Sequence, residues 1–265
     1  MHSEKIIKGL LNEIEKIGGF IGEELLNFDA AAIEEKSANQ LVSYVDIEAE
    51  KRLVAACENL CGPCNYINEE NTQLQTVNSD ITFIIDPLDG TINFMHALPV
   101  FSISVGLMIE NKLCGGIVYE INRKEMFYAW EDSLAFLNQK PIQVSSRNTL
   151  KDTLLATGFP YYDFDQMEAY LGLLRSLMQN SRGLRRLGSA AVDLAYTACG
   201  RFDAFFEYGL KPWDVAAGAF IVQQAGGLVC DFKEQNNFLF GGELVASNAL
   251  IHAEFMEYVK NAFAN

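Results

Sequence analysis

One apolar run that ends in carboxylates constrains this chain more than any other stretch: Phe83-Ile84-Ile85-Asp86-Pro87-Leu88-Asp89-Gly90-Thr91-Ile92-Asn93-Phe94. Its β-branched and aromatic residues predict a strand over Thr82–Ile85. The strand ends at Asp86, because the following proline has no N–H to give to a ladder. Asp89 lies three residues on, at the mouth of a turn, and Gly90-Thr91 leads into a helix. Two carboxylates thus reach the C-terminal end of a strand beside exposed backbone N–H groups. Carboxylates hold hard divalent cations such as Mg²⁺, and amides at a helix start hold phosphate oxygens. A capped turn uses the same residues, so this segment alone leaves both readings open.

Two companions favour the metal reading. Asn68-Glu69-Glu70 closes a short strand at Tyr66-Ile67, and Trp213-Asp214 opens a helix after Lys211-Pro212. A carboxylate at a helix start also serves as an N-cap. Two adjacent Mg²⁺ ions, however, need several carboxylates and no competing cation, and these segments together supply the carboxylates.

The rest of the chain sets these segments among layers. Ile6/Ile7, Leu10/Leu11, Ile14, Ile17, Ile21 and Leu25 recur at helical spacing and predict a first helix over Ser3–Leu26. Leu53, Val54, Cys57 and Leu60 predict a second, opened by Asp46. Phe101–Met108, Gly116–Tyr119 and Met126–Trp130 read as antiparallel strands joined by the polar turns Glu110-Asn111-Lys112 and Asn122-Arg123-Lys124. Further helices are expected at Gln166–Gln179, Ser189–Cys199, Val215–Gln224 and Leu250–Phe263, with strands at Asp203–Glu207, Leu228–Asp231 and Leu244–Ser247. Strand blocks alternating with helices indicate an α+β fold of stacked layers. A composition shift near 145–152 marks two halves, roughly 1–148 and 149–265, of one domain spanning residues 1–265.

Thirty-five acidic residues against twenty basic give a formal charge of −15. That field repels a polyanion, so no nucleic-acid partner is expected. The longest apolar runs, such as Pro99–Ile109, fall well short of a bilayer span, so no membrane partner is expected either. Glu4, Lys5 and Lys8 interrupt the first helix as they would not interrupt an export signal's core. Cys114, Cys199 and Cys230 lie in apolar runs, and a reduced, cytoplasmic setting is expected. Cys61-Gly62-Pro63-Cys64 matches the thioredoxin tetrapeptide, which makes a thiol–disulfide protein the alternative of another class. A redox thiolate needs a helix N-terminus. This motif instead follows the helical stretch Ile47–Leu60 and reads as a helix stop.

At Ile84-Ile85-Asp86-Pro87-Leu88-Asp89-Gly90-Thr91-Ile92-Asn93-Phe94 the chain resembles the inositol monophosphatase family of Mg²⁺-dependent, lithium-sensitive phosphatases. The likeness continues in Leu187-Gly188-Ser189-Ala190-Ala191-Val192-Asp193-Leu194 and in Gly200-Arg201-Phe202-Asp203-Ala204-Phe205-Phe206-Glu207. Pro212-Trp213-Asp214-Val215-Ala216-Ala217-Gly218 and then Gln224-Ala225-Gly226-Gly227 complete it, so that it covers about Lys36 to Ala246. It departs at Asn68, where the family usually has glycine, and in a short loop between Glu69 and Asp86. The resemblance implies a layered αβαβα sandwich of the inositol monophosphatase and fructose-1,6-bisphosphatase type, and a homodimer.

The resemblance also implies roles. Glu69, Asp86 and the Leu88 carbonyl would bind a first Mg²⁺, and Asp86, Asp89 and Asp214 a second, with a third, weaker ion near Glu69. Asp46 would help Thr91 orient the attacking water, Glu69 acting with them in catalysis. The Gly90 and Thr91 amides would hold the phosphate, and Asp89, Gly188, Ser189, Ala190, Glu207 and Asp214 would border the substrate, a small phosphorylated polyol or sugar. Because a phosphate dianion repels hydroxide, two cations that neutralise it permit in-line attack by water without a covalent intermediate. His2, His96 and His252 are then not needed as phosphate acceptors. Inositol 1-phosphate is the expected substrate; fructose 1,6-bisphosphate, histidinol phosphate and a 3′,5′-bisphosphorylated nucleotide are alternatives on the same scaffold. Arg185-Arg186 suits a second phosphate, and equally an ion pair or a subunit interface.

Overall fold

The computed structural model describes residues 2–27, 34–37, 40–42, 44–71, 77–160 and 164–263. Helices α1 (His2–Asn27) and α2 (Tyr44–Cys61) cover one face of a seven-stranded sheet. Its strands are β3 (Asn65–Asn68), β4 (Ile81–Asp89), β5 (Ser102–Ile109), β6 (Lys112–Glu120), β7 (Glu125–Trp130), β8 (Ala135–Leu137) and β9 (Lys140–Ile142), paired in that order. β3 runs parallel to β4, and the later pairs are antiparallel. Helices α5 (Ala190–Ala198) and α6 (Pro212–Gln224) fill the space between this sheet and a second one. The second sheet is ordered β11 (Gly183–Arg185), β10 (Leu154–Thr157), β12 (Ala204–Tyr208), β14 (Glu243–Asn248) and β13 (Gly227–Cys230). Helices α4 (Met167–Asn180) and α7 (His252–Ala262) close its far face. β1 (Glu34–Ser37) and β2 (Gln40–Val42) form a separate antiparallel pair, and α3 (Thr91–Met95) is a short turn after β4. The layers follow the expected αβαβα order.

Strand alternation builds these layers, since successive side chains of a strand point to opposite faces. On β7, Met126 and Tyr128 join the α1 side while Phe127 and Ala129 join the α6 side. On β12, Phe205 faces the central helices, and Ala204, Phe206 and Tyr208 face α4 and α7. α6 is buried at every position from Val215 to Val222, as a helix with a sheet on either side must be. It crosses the first sheet at close range. A Cβ at Gly116 would stand 2.5 Å from the Ala217 carbonyl oxygen, and one at its register partner Gly106 would stand 2.8 Å from Ala216 Cβ.

Two expectations need correction, and one set of strands was not anticipated. β4 does not end at Asp86; pairing resumes at Asp89 opposite Ser102, because Pro87 falls in a bulge where no N–H is required. α2 begins at Tyr44, so Asp46 lies within its first turn and does not open it. Strands β8 to β11 have only three or four residues each, too few for a period-two pattern to stand out.

Candidate active site

The bulge in β4 places the first two carboxylates. Asp86 pairs with Ser104 and Asp89 with Ser102, so three steps on β4 match two on β5. In a regular strand residues three apart point to opposite faces; the extra residue turns Asp89 to the side of Asp86. The Leu88 N–H donates to Asp86 Oδ1 at 2.9 Å and fixes that carboxylate. Gly90, with φ of +97°, then turns the chain into α3 through a conformation that favours glycine. Parallel pairing brings the end of β3 alongside, where the Glu69 N–H donates to the Ile85 carbonyl at 3.2 Å. The next N–H, of Glu70, donates to Oε2 of Glu50 at 2.8 Å, which ties this corner to a buried position on α2.

The second half of the chain supplies the opposite wall. Asp89 Oδ2 accepts from the Ser189 hydroxyl at 2.5 Å and the Ala191 N–H at 2.8 Å, so a strand of the first sheet caps α5. Asn93 Nδ2 donates to the Val100 carbonyl at 2.7 Å and the Leu187 carbonyl at 2.8 Å, clamping the Gly188 turn onto α3. α6 opens on Pro212, which needs no N–H partner there, and Asp214 accepts the Lys211 N–H at 2.7 Å. The Ser104 hydroxyl donates to the Trp213 carbonyl at 3.1 Å and holds this helix end over β5.

These walls enclose a cavity of about 170 Å³. Glu69, Asp86, Leu88, Asp89, Gly90, Thr91, Gly188, Ser189, Ala190, Glu207 and Asp214 all line it. Asp46 alone of the expected residues stands outside the lining, behind Thr91, whose hydroxyl reaches its carboxylate. Gly158, Asp193, Lys211 and Trp213 line the cavity as well, and sequence reasoning assigned none of them to the site. Asp193 and Trp213 stood inside family motifs; Gly158 and Lys211 carry no pattern that marks chemistry. The arginine pair divides: Arg186 lines the cavity, whereas Arg185 is exposed and donates to the Leu184 carbonyl at 2.9 Å. Two cations, Arg186 and Lys211, therefore stand in the lining with the carboxylates. His96 is exposed, and His252 is buried at 2.7 Å from the Ser247 hydroxyl, on the far sheet.

Burial is the largest influence on these acids. It pushes Glu69 and Asp86 well above the usual carboxylate range, and the neighbouring charges of Asp214 and Glu69 respectively add to it. Asp89 is pushed up to about 6, restrained by the Ser189 hydroxyl and the Ala190 and Ala191 amides. Asp214 is pushed up to about 7 by burial and the charge of Asp89. Glu207 and Asp193 are raised by burial, with Arg186 opposing.

The Cys61-Gly62-Pro63-Cys64 turn lies away from this cavity. α2 ends at Cys61, Gly62 has φ of +78°, and all six cysteines are free. Burial raises Cys61 and pushes Cys64 up to about 11, the reverse of what a redox thiolate needs.

The profile of the inositol monophosphatase family matches residues 3–263. The Nus factor SuhB of Pseudomonas aeruginosa is 40% identical over 242 residues, 90% of this chain and 89% of that one. Its counterpart from Haemophilus influenzae is 37% identical over 245 residues, 92% of each. Among solved structures, the extragenic suppressor protein suhB from Bartonella henselae has a TM-score of 0.91 at 33% identity, covering 96% of this chain and 98% of that one. The Thermotoga maritima IMPase has a TM-score of 0.85 at 33% identity, covering 96% of each. With one family matched from end to end and its motifs gathered around a single cavity, the chain belongs to the inositol monophosphatase family and is a phosphomonoester hydrolase.

Proposed function

We propose that the protein hydrolyses the phosphate monoester of a small polyol, inositol 1-phosphate first among candidates, with Mg²⁺ and water. The observation that carries this reading is the gathering of Glu69, Asp86, Asp89 and Asp214 in one cavity, each held above its ordinary pKa. Buried carboxylates that repel one another call for cations between them. The donors are all oxygens, including the Leu88 carbonyl, which suits a hard divalent ion over zinc or copper. Among the described residues no three His, Cys, Asp or Glu side chains stand grouped around one metal position.

Glu69, Asp86 and Leu88 would hold one ion, Asp86, Asp89 and Asp214 a second, and Glu69 a weaker third. Bound there, the ions would neutralise phosphoryl oxygens, acidify water and stabilise the leaving oxygen. Asp46 and Thr91 orient the attacking water, with Glu69 beside it. The Gly90 and Thr91 N–H groups receive the phosphate. The backbone of Gly188, Ser189 and Ala190 and the Glu207 carboxylate border the leaving group. Central core residues drawn from both halves, among them Phe127 and Ile221, support a single working domain. Free cysteines throughout support a reducing, cytoplasmic setting, and the family resemblance supports a homodimer. Among the described residues no helix is long and apolar enough to cross a membrane.

The relatives named Nus factors support a second reading, in which the chain also serves as a Nus factor. Its charge of −15 favours a protein partner over nucleic acid in that role. The deciding measurement is phosphate release with and without Mg²⁺ from inositol 1-phosphate, fructose 1,6-bisphosphate, a 3′,5′-bisphosphorylated nucleotide and p-nitrophenyl phosphate. Mg²⁺-dependent turnover that is fastest on inositol 1-phosphate is expected; turnover indifferent to Mg²⁺ and EDTA would sink the metal assignment.

A further inference from the structure

We infer that Asp193 is a further substrate-binding residue, which works beside Glu207 to hold neighbouring hydroxyls of the leaving group. The inference rests on the polyol-phosphatase reading and adds a residue to its site. Asp193 sits in the first turn of α5, is only 1% exposed, and lines the cavity. Its Oδ1 is closed off from water and takes no hydrogen bond from any described residue. A buried carboxyl oxygen left without a donor is costly and needs a reason.

Capping α5 is not that reason. The Ser189 hydroxyl already accepts the Val192 N–H at 3.3 Å, and Asp89 already takes the Ala191 N–H. Asp193 lines the cavity together with Glu207 and Arg186, whose charges both act on it. Burial and the Glu207 charge favour its neutral form. A neutral carboxyl donates through one oxygen and accepts through the other, and so can serve a ring hydroxyl that itself does both. Glu207 beside it accepts from the next hydroxyl. A second phosphate in this position would instead meet two acids for one guanidinium. The wall therefore favours a leaving group that offers adjacent free hydroxyls over a bisphosphate.

Steady-state kinetics at saturating Mg²⁺ test this, with inositol 1-phosphate and p-nitrophenyl phosphate, which has no hydroxyl to offer. Asp193→Ala is expected to lower kcat/KM on inositol 1-phosphate at least ~10-fold more than on p-nitrophenyl phosphate, chiefly through KM. Asp193→Asn keeps one donor and one acceptor in the same volume, and is expected to restore that ratio to within ~3-fold. Equal losses on both substrates, or a ratio unchanged from wild type in Asp193→Ala, would overturn the inference while leaving the phosphatase reading intact. Should Asp193→Ala fail to fold, singly deoxygenated inositol phosphates replace it. The folded wild type is then expected to lose at least ~10-fold in kcat/KM for removal of either of two neighbouring hydroxyls, and indifference to every one of them overturns the assignment. A wild type that cleaves p-nitrophenyl phosphate with Mg²⁺ but spares inositol 1-phosphate would overturn the polyol reading and this inference together.

Discussion

The Thr91 hydroxyl stands between two acceptors, 3.1 Å from Asp46 Oδ1 and 3.0 Å from the Leu88 carbonyl oxygen. A hydroxyl has one proton and can serve only one of them at a time. Were the Leu88 carbonyl to hold a cation, as proposed, the proton would go to Asp46 and a lone pair of Thr91 would be left to accept from water in the cavity. That gives Asp46 a use that a helix N-cap would not have: it sets the direction of a neighbour's hydroxyl.

Thr91→Val keeps the shape and removes the hydroxyl. It is expected to cut kcat by ~10²–10³-fold, with KM and the half-saturating Mg²⁺ concentration moving much less. Thr91→Ser should stay within ~5-fold of wild type, because the hydroxyl remains. A Thr91→Val enzyme restored by raised Mg²⁺ would show that Thr91 serves metal binding instead of water orientation.

The raised carboxylates give the metal-free protein a pH dependence with a definite sign. A group whose folded pKa lies above its unfolded value binds more protons when folded, so stability falls as pH rises through that interval. The interval here runs from about 4, the unfolded carboxylate value, to about 6 for Asp89 and about 7 for Asp214. In EDTA the Tm should therefore fall as the pH climbs from about 5 to about 8. At the upper end Mg²⁺ at a hundredfold excess over its Kd should restore about 5–10 °C. Asp86→Asn removes one of the repelling charges and, in the proposed arrangement, the ligand that both ions would share. It should raise the metal-free Tm at the upper end of that range, abolish the Mg²⁺ response, and lower kcat/KM at least ~10³-fold, about 4 kcal/mol of barrier. A Mg²⁺ shift of wild-type size in Asp86→Asn would contradict the two-ion arrangement.

Cys61 and Cys64 should be dispensable. Their thiols are raised by burial and sit at the C-terminal end of α2, where the helix dipole disfavours a thiolate. The Cys61→Ser/Cys64→Ser double variant is expected to keep phosphatase activity within ~2-fold, and the wild type to react slowly with thiol reagents at neutral pH. Activity lost on mild oxidation of wild type but kept in the double variant would restore a redox role.

The legible part of this molecule is the part written in short-range chemistry. The apolar alternation of β5 to β7 and the stripes of α1 and α4 each declare themselves within about a dozen residues. So do the acids at 86, 89 and 214 with their proline and glycine punctuation. What escaped depends on contacts between distant residues. Pro87 looks like a strand end until β5 shows that the ladder skips it. Asp193 looks like one more residue of a helix until β12 brings Glu207 into the lining of the same cavity. Glu50, buried on α2, reads as an ordinary polar position until its carboxylate receives the Glu70 N–H. Gly158 gives no local signal, because what it makes room for lies on β12.

That last relationship supports a prediction of its own. A Cβ at Gly158 would stand 2.0 Å from the carboxylate of Glu207, nearer than two carbons can approach. The obstructed atoms are the end of a side chain and can swing aside, so Gly158→Ala should fold with a Tm within about 2 °C of wild type. The carboxylate must move, however, and a displacement of about 1 Å at a positioning group can cost as much as deleting it. A charge-assisted hydrogen bond contributes about 1.5–3 kcal/mol, so kcat/KM on inositol 1-phosphate should fall ~10–100-fold, well beyond the loss on p-nitrophenyl phosphate. Glu207→Ala should show the same bias between the two substrates. Because both substitutions remove one interaction, the double variant should lose no more than Glu207→Ala alone. A double loss equal to the product of the single losses would mean that Gly158 acts on the reaction by some route other than the Glu207 carboxylate.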